Sequence, residues 1–254
     1  DNDAYAVAVS EAGCIDTSSC IQYLQGNSSG IPQLAWAEDL DEFWFGHHNS
    51  LRTDKYGNLY VCGQFCSRAD LSLMSDSAFY QEAGNSCDIA VAKYDNDGNM
   101  LWVYPVGEAG NSNVNELAAS MDIDSEGTVY VGGNFYIDMD FDPHRDNEFI
   151  VSDPTAGCCV PQAYIFSINE NGQFRWAKGL GAGGHNDVVS LSVSPSGRIA
   201  ITGESFSNTA DMDPGPGVTN ALMGAYAAIY DNNGNFEDMI NIPLGIHSWS
   251  DSYG

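Results

Sequence analysis

Positively charged residues are scarce in this sequence. Eight Lys and Arg stand against 35 Asp and Glu, which gives the 254-residue chain a formal net charge of −27. A protein that holds nucleic acid neutralises phosphates with clustered Lys and Arg, and the lysines Lys55, Lys93 and Lys178 are scattered singly. The same sign of charge disfavours anionic membranes. The composition therefore argues against a nucleic-acid or membrane-surface partner.

Long hydrophobic runs are also missing. The longest nearly uncharged apolar stretch, residues 221–230, is far shorter than the roughly 20 residues of a membrane-spanning helix. Yet 43% of the residues are hydrophobic and 11% are aromatic, with 27 Gly, so the chain can bury a core despite its charge. We expect a folded, acidic, Gly-rich protein without a membrane span.

The seven cysteines include no pair at the C-x-x-C spacing of a zinc knuckle or a redox centre. Together with the glycosylation sequon at Asn27, the cysteines favour an oxidising, extracellular setting with local disulfides. The candidate pairs are Cys14 with Cys20, Cys66 with Cys87, and Cys158 with Cys159 or each of these two with a separate partner. The alternative is that the cysteines are buried free thiols.

A ten-residue motif recurs in the sequence at a fixed period. Its first glycines are spaced 70 and 70 residues apart, and a second glycine follows each of them six residues later. The glycine pairs are Gly57 and Gly63, Gly127 and Gly133, and Gly197 and Gly203. Each motif begins with a polar residue, continues with a Gly that can take positive φ, and ends with alternating apolar residues. This order indicates a turn that leads into a strand. Each motif therefore predicts a β-hairpin.

A second hairpin follows the first in each repeat. Its predicted tips are residues 95–99, 169–173 and 231–235. The strands that leave the first two tips carry Trp102 and Trp176, and in the last copy we place Met239 or Ile240 near that position. Beyond it, Leu244-Gly245 matches Val106-Gly107 and Leu180-Gly181. Each repeat thus has four strands, and its length varies in the connection between the hairpins.

Four antiparallel strands in a repeating unit are typical of a β-propeller blade. We predict an all-β β-propeller of about four blades, counting two terminal part-blades. The boundaries are a part-blade at 1–45, blades at 46–110, 111–183 and 184–245, and a part-blade at 246–254. Three joining schemes remain open: residues 246–254 and a strand at 5–9 close the ring within one chain, neighbouring chains complete the part-blades, or the chain is a piece of a longer propeller.

Three segments resemble the bacterial secreted β-propeller repeat family, the SBBP-type repeats. They are residues 140–143 (Asp-Phe-Asp-Pro), 175–179 (Arg-Trp-Ala-Lys-Gly) and 211–217 (Asp-Met-Asp-Pro-Gly-Pro-Gly). The match covers roughly residues 34–245, and it fails at residues 70–73, where the Asp-Pro segment of the first unit is absent. The resemblance implies an extracellular or cell-surface propeller, commonly a module of a larger protein, and no defined catalytic activity.

Asp138, Asp140 and Asp142 lie at i, i+2 and i+4, on one face of an extended strand, and Asp211 with Asp213 repeats two of them. Carboxylate oxygens suit Ca²⁺, so these residues are the predicted metal ligands. The alternative is a solvated outer strand whose charges prevent edge pairing.

Two sets of aromatic residues stand out. Trp36, Trp102 and Trp176 recur at equivalent places and are predicted to pack between blades rather than to stack on sugars. Residues 43–45, Phe43-Trp44-Phe45, lie outside the repeat register and predict an interface or ligand patch on an irregular connection. The alternative is a loop that lies over the end of the propeller.

The sequence carries no G-x-S-x-G, H-E-x-x-H or phosphate-binding loop. We therefore expect a secreted, non-enzymatic structural subunit that self-assembles into a fibre or surface layer. The alternative is a monomeric adhesive or carbohydrate-binding propeller. An acidic glycosidase ranks third, because the acidic residues recur in successive units whereas a catalytic pair sits in one copy.

Overall fold

A computed structural model describes residues 4–9, 19–26, 32–40, 43–45, 51–72, 80–108, 117–136, 138–142, 150–151, 161–181 and 185–242. Before residue 51 the description covers the backbone alone. All regular structure in these ranges is β-strand, in antiparallel sheets. No helix long and apolar enough to cross a membrane occurs in them.

The N-terminal sheet has three strands in chain order. They are β1 (Ala4–Val9), β2 (Ser19–Gly26) and β3 (Pro32–Leu40). Strand β1 pairs with β2 from Ala4↔Gln25 to Val9↔Cys20, so the predicted strand at residues 5–9 is present. It lies near β5, a strand of the next sheet.

The first blade follows. Its strands are β4 (Phe43–Phe45), β5 (Leu51–Thr53), β6 (Leu59–Asp70), β7 (Tyr80–Tyr94) and β8 (Met100–Glu108). Both β4 and β5 pair with β6, which pairs with β7, which pairs with β8. Residues 43–45 are therefore a strand and not the irregular connection that we predicted, because aromatic residues favour strands and the long β6 offers them an edge.

The second blade has the strand order β14-β13-β10-β9. Its strands, with a short hairpin β11–β12 inserted, are β9 (Leu117–Ile123), β10 (Val129–Phe135), β11 (Met139–Asp140), β12 (Ile150–Val151), β13 (Gln162–Ile168) and β14 (Phe174–Leu180). The short hairpin pairs through β11 with the outer strand β8 of the first blade.

The third blade repeats this plan with the order β15-β16-β19-β20. Its strands, with the short hairpin β17–β18, are β15 (Asn186–Val193), β16 (Ile199–Ser205), β17 (Ala210–Asp211), β18 (Asn220–Ala221), β19 (Gly224–Tyr230) and β20 (Phe236–Ile242). The described architecture is all-β and of the β-propeller type, as predicted.

The turns confirm the repeat. In all six hairpin tips of the three blades a Gly has φ between 73° and 84°, at Gly57, Gly98, Gly127, Gly172, Gly197 and Gly234. Each of these glycines donates its N–H to the carbonyl of the residue three positions earlier. A β-bulge precedes the second tip of every blade, at Lys93/Tyr94, Ser167/Ile168 and Ile229/Tyr230.

Two of the three described core clusters lie between blades, and the third consists of residues of the first blade. One cluster, with Tyr104, Phe141 and Phe166, joins the first and second blades. Another, with Tyr130, Leu180 and Tyr226, joins the second and third blades. The flat faces of neighbouring sheets therefore supply the apolar burial.

Candidate interaction face

The joint between the first and second blades is built on turn glycines. The indole Nε1 of Trp102 donates to the carbonyl of Glu170 at 3.0 Å, and the indole covers Gly172, where an added Cβ would lie 2.8 Å from the ring. The hydroxyl of Tyr60 covers Gly127 in the same way, at 2.9 Å from an added Cβ. Glycine is thus required by conformation and by space.

The joint between the second and third blades repeats these contacts. Trp176 donates to the carbonyl of Asn232 at 3.1 Å and covers Gly234, with 2.8 Å to an added Cβ. Tyr130 covers Gly197, with 2.7 Å between its hydroxyl and an added Cβ. These contacts agree with the prediction that Trp102 and Trp176 pack between blades, whereas Trp36 is described only by its backbone in β3.

Each joint also holds one cation against the tyrosine ring. In the first joint the Lys93 Nζ lies 4.8 Å from the centroid of Tyr60 and 3.8 Å from the Asp54 carboxylate. In the second joint the Arg175 guanidinium lies 5.7 Å from the centroid of Tyr130. Burial raises the pKa of both tyrosines above the ordinary value. The cations contribute a cation–π attraction in a partly desolvated place.

A backbone link completes each joint. In the first joint Met139 and Asp140 pair with Glu108 and Gly107, so that β11 extends the sheet of the first blade. In the second joint the N–H of Gly181 donates to the carbonyl of Asp211 at 2.7 Å. Each short hairpin therefore binds the end of the outer strand of the preceding blade.

The innermost strands are linked through Asp122. Its Oδ1 accepts a hydrogen bond from Arg52 Nε at 2.6 Å, and its Oδ2 accepts the backbone N–H of Val193 at 2.7 Å. Arg52 lies in the first blade and Val193 in the third, so a single carboxylate connects three successive blades. Sequence reasoning did not single out this residue.

Among the described residues, no such joint covers the outward side of the third blade. We call this side the open face. Its nine residues, three from each of β16, β19 and β20, are Ala200, Thr202, Glu204, Ala225, Ala227, Ile229, Asp238, Ile240 and Ile242. Each is half-buried or exposed, whereas the other side of β16 and β19, including Ile201, Tyr226 and Ala228, is fully buried.

Equivalent positions show how unusual this exposure is. Val106, Leu180 and Ile242 occupy the same place in the strand ladders of the three blades. Val106 and Leu180 are each 1% exposed, whereas Ile242 is 48% exposed, and Ile240 is 60% exposed. The exposed Leu222 lies beside them, since its N–H donates to Asn241 Oδ1 at 2.8 Å. The open face is therefore an apolar surface in a position that is covered in the other blades.

The predicted calcium ligands do not form one cluster. Asp138 is exposed, and Asp140 is half-buried and accepts the N–H of Asp142 on Oδ1 at 3.0 Å. Asp142 is buried. Among the described residues no group of three or more His, Cys, Asp or Glu is arranged to hold a metal ion. The carboxylate of Asp140 stabilises a local turn, and calcium stays a prediction.

The second predicted pair of calcium ligands, Asp211 and Asp213, also accepts backbone N–H groups of a local turn. Asp211 Oδ1 accepts the N–H of Asp213 at 3.1 Å and that of Thr219 at 2.8 Å. Asp213 Oδ1 accepts the N–H of Gly215 at 2.8 Å. In the first blade Asp70 accepts the N–H of Ser72 at 3.0 Å, so the unit without the Asp-Pro segment keeps this turn.

The remaining predicted residues are described only in part. Phe43, Trp44 and Phe45 are described as the backbone of β4. Asn27, Cys14, Cys158 and Cys159 lie outside the described residues, and Cys20 is described by its backbone in β2. The backbones of Cys66 and Cys87 are directly opposite in the β6–β7 ladder, and Cys87 is disulfide-bonded.

Cys62 is a free thiol in the described part of the chain. It is buried in the first joint, and this burial raises the pKa of the thiol to about 12. It stays protonated at neutral pH.

One polar cluster was missed by sequence reasoning. The rings of His185 and Phe206 stack with centroids 4.3 Å apart, and His185 Nε2 lies 3.5 Å from Asp187 Oδ1. Asn134 of the second blade donates to the same oxygen at 2.7 Å. Burial raises the pKa of Asp187, although His185 acts to lower it. The cluster joins the second and third blades at the start of β15.

No family model matches the chain. The chain is similar to an uncharacterized WD repeat-containing protein of Acanthamoeba polyphaga mimivirus, with 22% identity over 224 residues. The alignment covers 78% of this chain and 16% of the relative, so the chain spans about a sixth of the length of the relative. The similarity agrees with a β-propeller repeat fold, and the finer resemblance to the SBBP-type repeats stays a prediction.

Proposed function

We propose that the protein is a secreted or cell-surface, non-enzymatic β-propeller that acts as a structural subunit and assembles with other copies of itself. The observation that carries this proposal is the open face. Ile242 is exposed at a position where the other two blades bury Val106 and Leu180, and Ile240 on the same strand is exposed as well. A surface of this kind on a folded protein marks an interaction site.

The charge of the chain suits such a subunit. A net charge of −27 keeps single chains apart at low ionic strength. Salt screens this repulsion beyond about 8–10 Å at physiological ionic strength, whereas apolar burial is insensitive to it. Acidity therefore favours solubility before assembly without preventing contact between apolar faces.

The recurring acidic residues support a structural role rather than catalysis. Asp54, Asp124 and Asp231 each accept backbone N–H groups of the turns they begin. Similarity to a WD repeat-containing protein agrees with a scaffold fold. The disulfide at Cys87 fits the proposed extracellular location, where such bonds persist.

Light scattering on the purified, non-reduced chain, with Ca²⁺ and with a chelator, tests the proposal. We expect species larger than the 27.3 kDa chain. A sharp monomer in both conditions would overturn self-assembly and favour the monomeric adhesive or carbohydrate-binding alternative. Loss of assembly on chelation alone would support Ca²⁺ binding at the Asp-x-Asp segments as part of the contact.

A further inference from the structure

The two described joints share a pairing rule. A Trp in the outer strand of one blade covers a turn glycine of the next blade, Trp102 over Gly172 and Trp176 over Gly234. Replacing either partner alone should cost stability, because the ring would lose its contact or a side chain would collide with it. A surface without the Trp therefore removes the spatial requirement for glycine in the hairpin that it binds.

The third blade has lost the Trp. Trp102 is paired with Lys93 and Trp176 with Ser167, and the residue paired with Ile229 at that register is Asp238. The tyrosine of the joint is also missing, since Ala200 stands in β16 where Tyr60 and Tyr130 stand in β6 and β10. The open face is consequently flatter than the corresponding faces of the other blades.

The β2–β3 hairpin has a proline at the register of the turn glycine, and its tip, residues 27–31, lies outside the described residues. In the hairpins of the three blades the turn glycine lies two residues before the first paired residue of the outer strand, as Gly98 lies before Met100. In the β2–β3 hairpin Leu34 pairs with Leu24 at that register, so Pro32 takes the place of the glycine. The ladder also continues for two further pairs, to Gly26↔Pro32.

The two departures match each other. Asp238 replaces the Trp of the third blade, and Pro32 stands at the glycine register of the β2–β3 hairpin. We therefore infer that the open face binds the β1–β3 sheet of a second copy of this chain. This inference rests on the proposed self-assembly. Within one chain β1 lies near β5 on the side of the first blade, and Ile240 and Ile242 remain exposed. Contacts between two different surfaces join copies head to tail, and they build a filament or a larger ring.

The first test blocks the open face in the full chain with Ile240→Lys and Ile242→Lys together. The matched control is Val218→Lys, which changes a 74% exposed apolar residue of the third blade outside the open face. We expect the double variant to be a 27.3 kDa monomer by light scattering, with an unchanged thermal midpoint, and the control to assemble like the wild type. Assembly of the double variant at wild-type concentrations would overturn the inference while leaving self-assembly intact. A monomeric wild type would instead refute the proposed function.

The second test identifies the partner surface. Pro32→Glu adds a carboxylate at the register that Asp238 would meet in the proposed contact, and we expect about a tenfold rise in the concentration needed for assembly. Asp238→Lys in the same chain should restore much of the loss, because the opposed charges become complementary. Pro32→Glu assembling like the wild type, or no rescue by Asp238→Lys, would exclude the N-terminal sheet as the partner.

Discussion

The central strands of the second and third blades, β13 and β19, differ in how many of their residues are buried. All seven residues of β13 are buried, whereas β19 alternates between buried and half-buried residues. Strand β13 lies between two neighbouring sheets, whereas within the described ranges a neighbouring sheet covers β19 on one side alone. The same repeat therefore yields a doubly covered sheet or a singly covered sheet, depending on what lies beside it.

Strand β19 differs from β13 in burial, but its outward positions carry apolar residues as a covered strand would. A strand with one solvated face normally alternates apolar and polar residues. The half-buried positions of β19 are Ala225, Ala227 and Ile229, all of them apolar. Along β19 the outward side of the third blade is thus composed like a covered surface, which supports the proposed assembly.

The largest predicted effect is a difference in the free energy of unfolding between two variants, Leu180→Ala on a covered face and Ile242→Ala on the open face. Leu180→Ala should lower the free energy of unfolding by about 2–5 kcal/mol, because it leaves a cavity in the second joint. Ile242→Ala should cost less than about 1 kcal/mol in the dissociated chain, since this side chain is already half exposed. Urea unfolding at low protein concentration measures both values. Equal losses would show that the open face is covered within the monomer.

The next effect concerns the carboxylate that links the three blades. Asp122→Ala should cost about 2–3 kcal/mol, because it leaves Arg52 unpaired and the Val193 N–H without its acceptor. The control is Asp97→Asn, a change at an exposed carboxylate of a turn in the first blade, for which we expect no measurable loss. Thermal unfolding of both variants gives the comparison. A neutral Asp122→Ala would mean that the innermost strands do not depend on this link.

A smaller effect tests the pairing of Trp with turn glycine. Gly172→Ala should cost about 1–2 kcal/mol, from its φ of 74° and from the collision with Trp102. Part of this loss should disappear in a chain that also carries Trp102→Ala, because the collision is then relieved. A double-mutant cycle in urea should give a coupling of at least about 0.5 kcal/mol. Strict additivity would contradict the proposed rule and weaken the argument from Asp238 and Pro32.

The sequence predicts the local features of this fold well. Turn glycines such as Gly127 are identified by spacing, because positive φ and the following strand are encoded within a few residues. The register of the third outer strand was wrong. We placed Met239 or Ile240 near the position of the Trp, which strand pairing gives to the adjacent Asp238. We matched Leu244 with Val106, whereas strand pairing puts Ile242 there. The error arose from matching residue types, whereas the distance from the turn glycine fixes the register.

Contacts between blades could not be predicted in the same way. The roles of Asp122 and of the turn glycines as surfaces for Trp and Tyr depend on residues about 70 positions apart. Such pairs leave no local pattern, since each residue is compatible with its own strand or turn. The strand β4 was missed for the same reason, because its partner β6 begins 14 residues after β4 ends.

The smallest predicted effect concerns Asp231, the first residue of the second turn in the third blade, and its contribution to stability. Burial alone would raise the pKa of Asp231, but hydrogen bonds from Asn235 and Asn233 lower it overall. A carboxyl with a lowered pKa in the folded state stabilises fully above its ordinary pKa, and the contribution is lost as the pH falls through the lowered value.

Asp231→Asn should therefore change stability by less than about 0.5 kcal/mol at neutral pH, because Asn169 makes the same turn contacts in the second blade. Urea unfolding from neutral pH down to about pH 3 should show the difference between wild type and variant shifting in favour of the variant below the ordinary pKa of Asp. A difference independent of pH would mean that an amide and a carboxylate are interchangeable at this turn. The acidity of the chain would then serve solubility and not the turns.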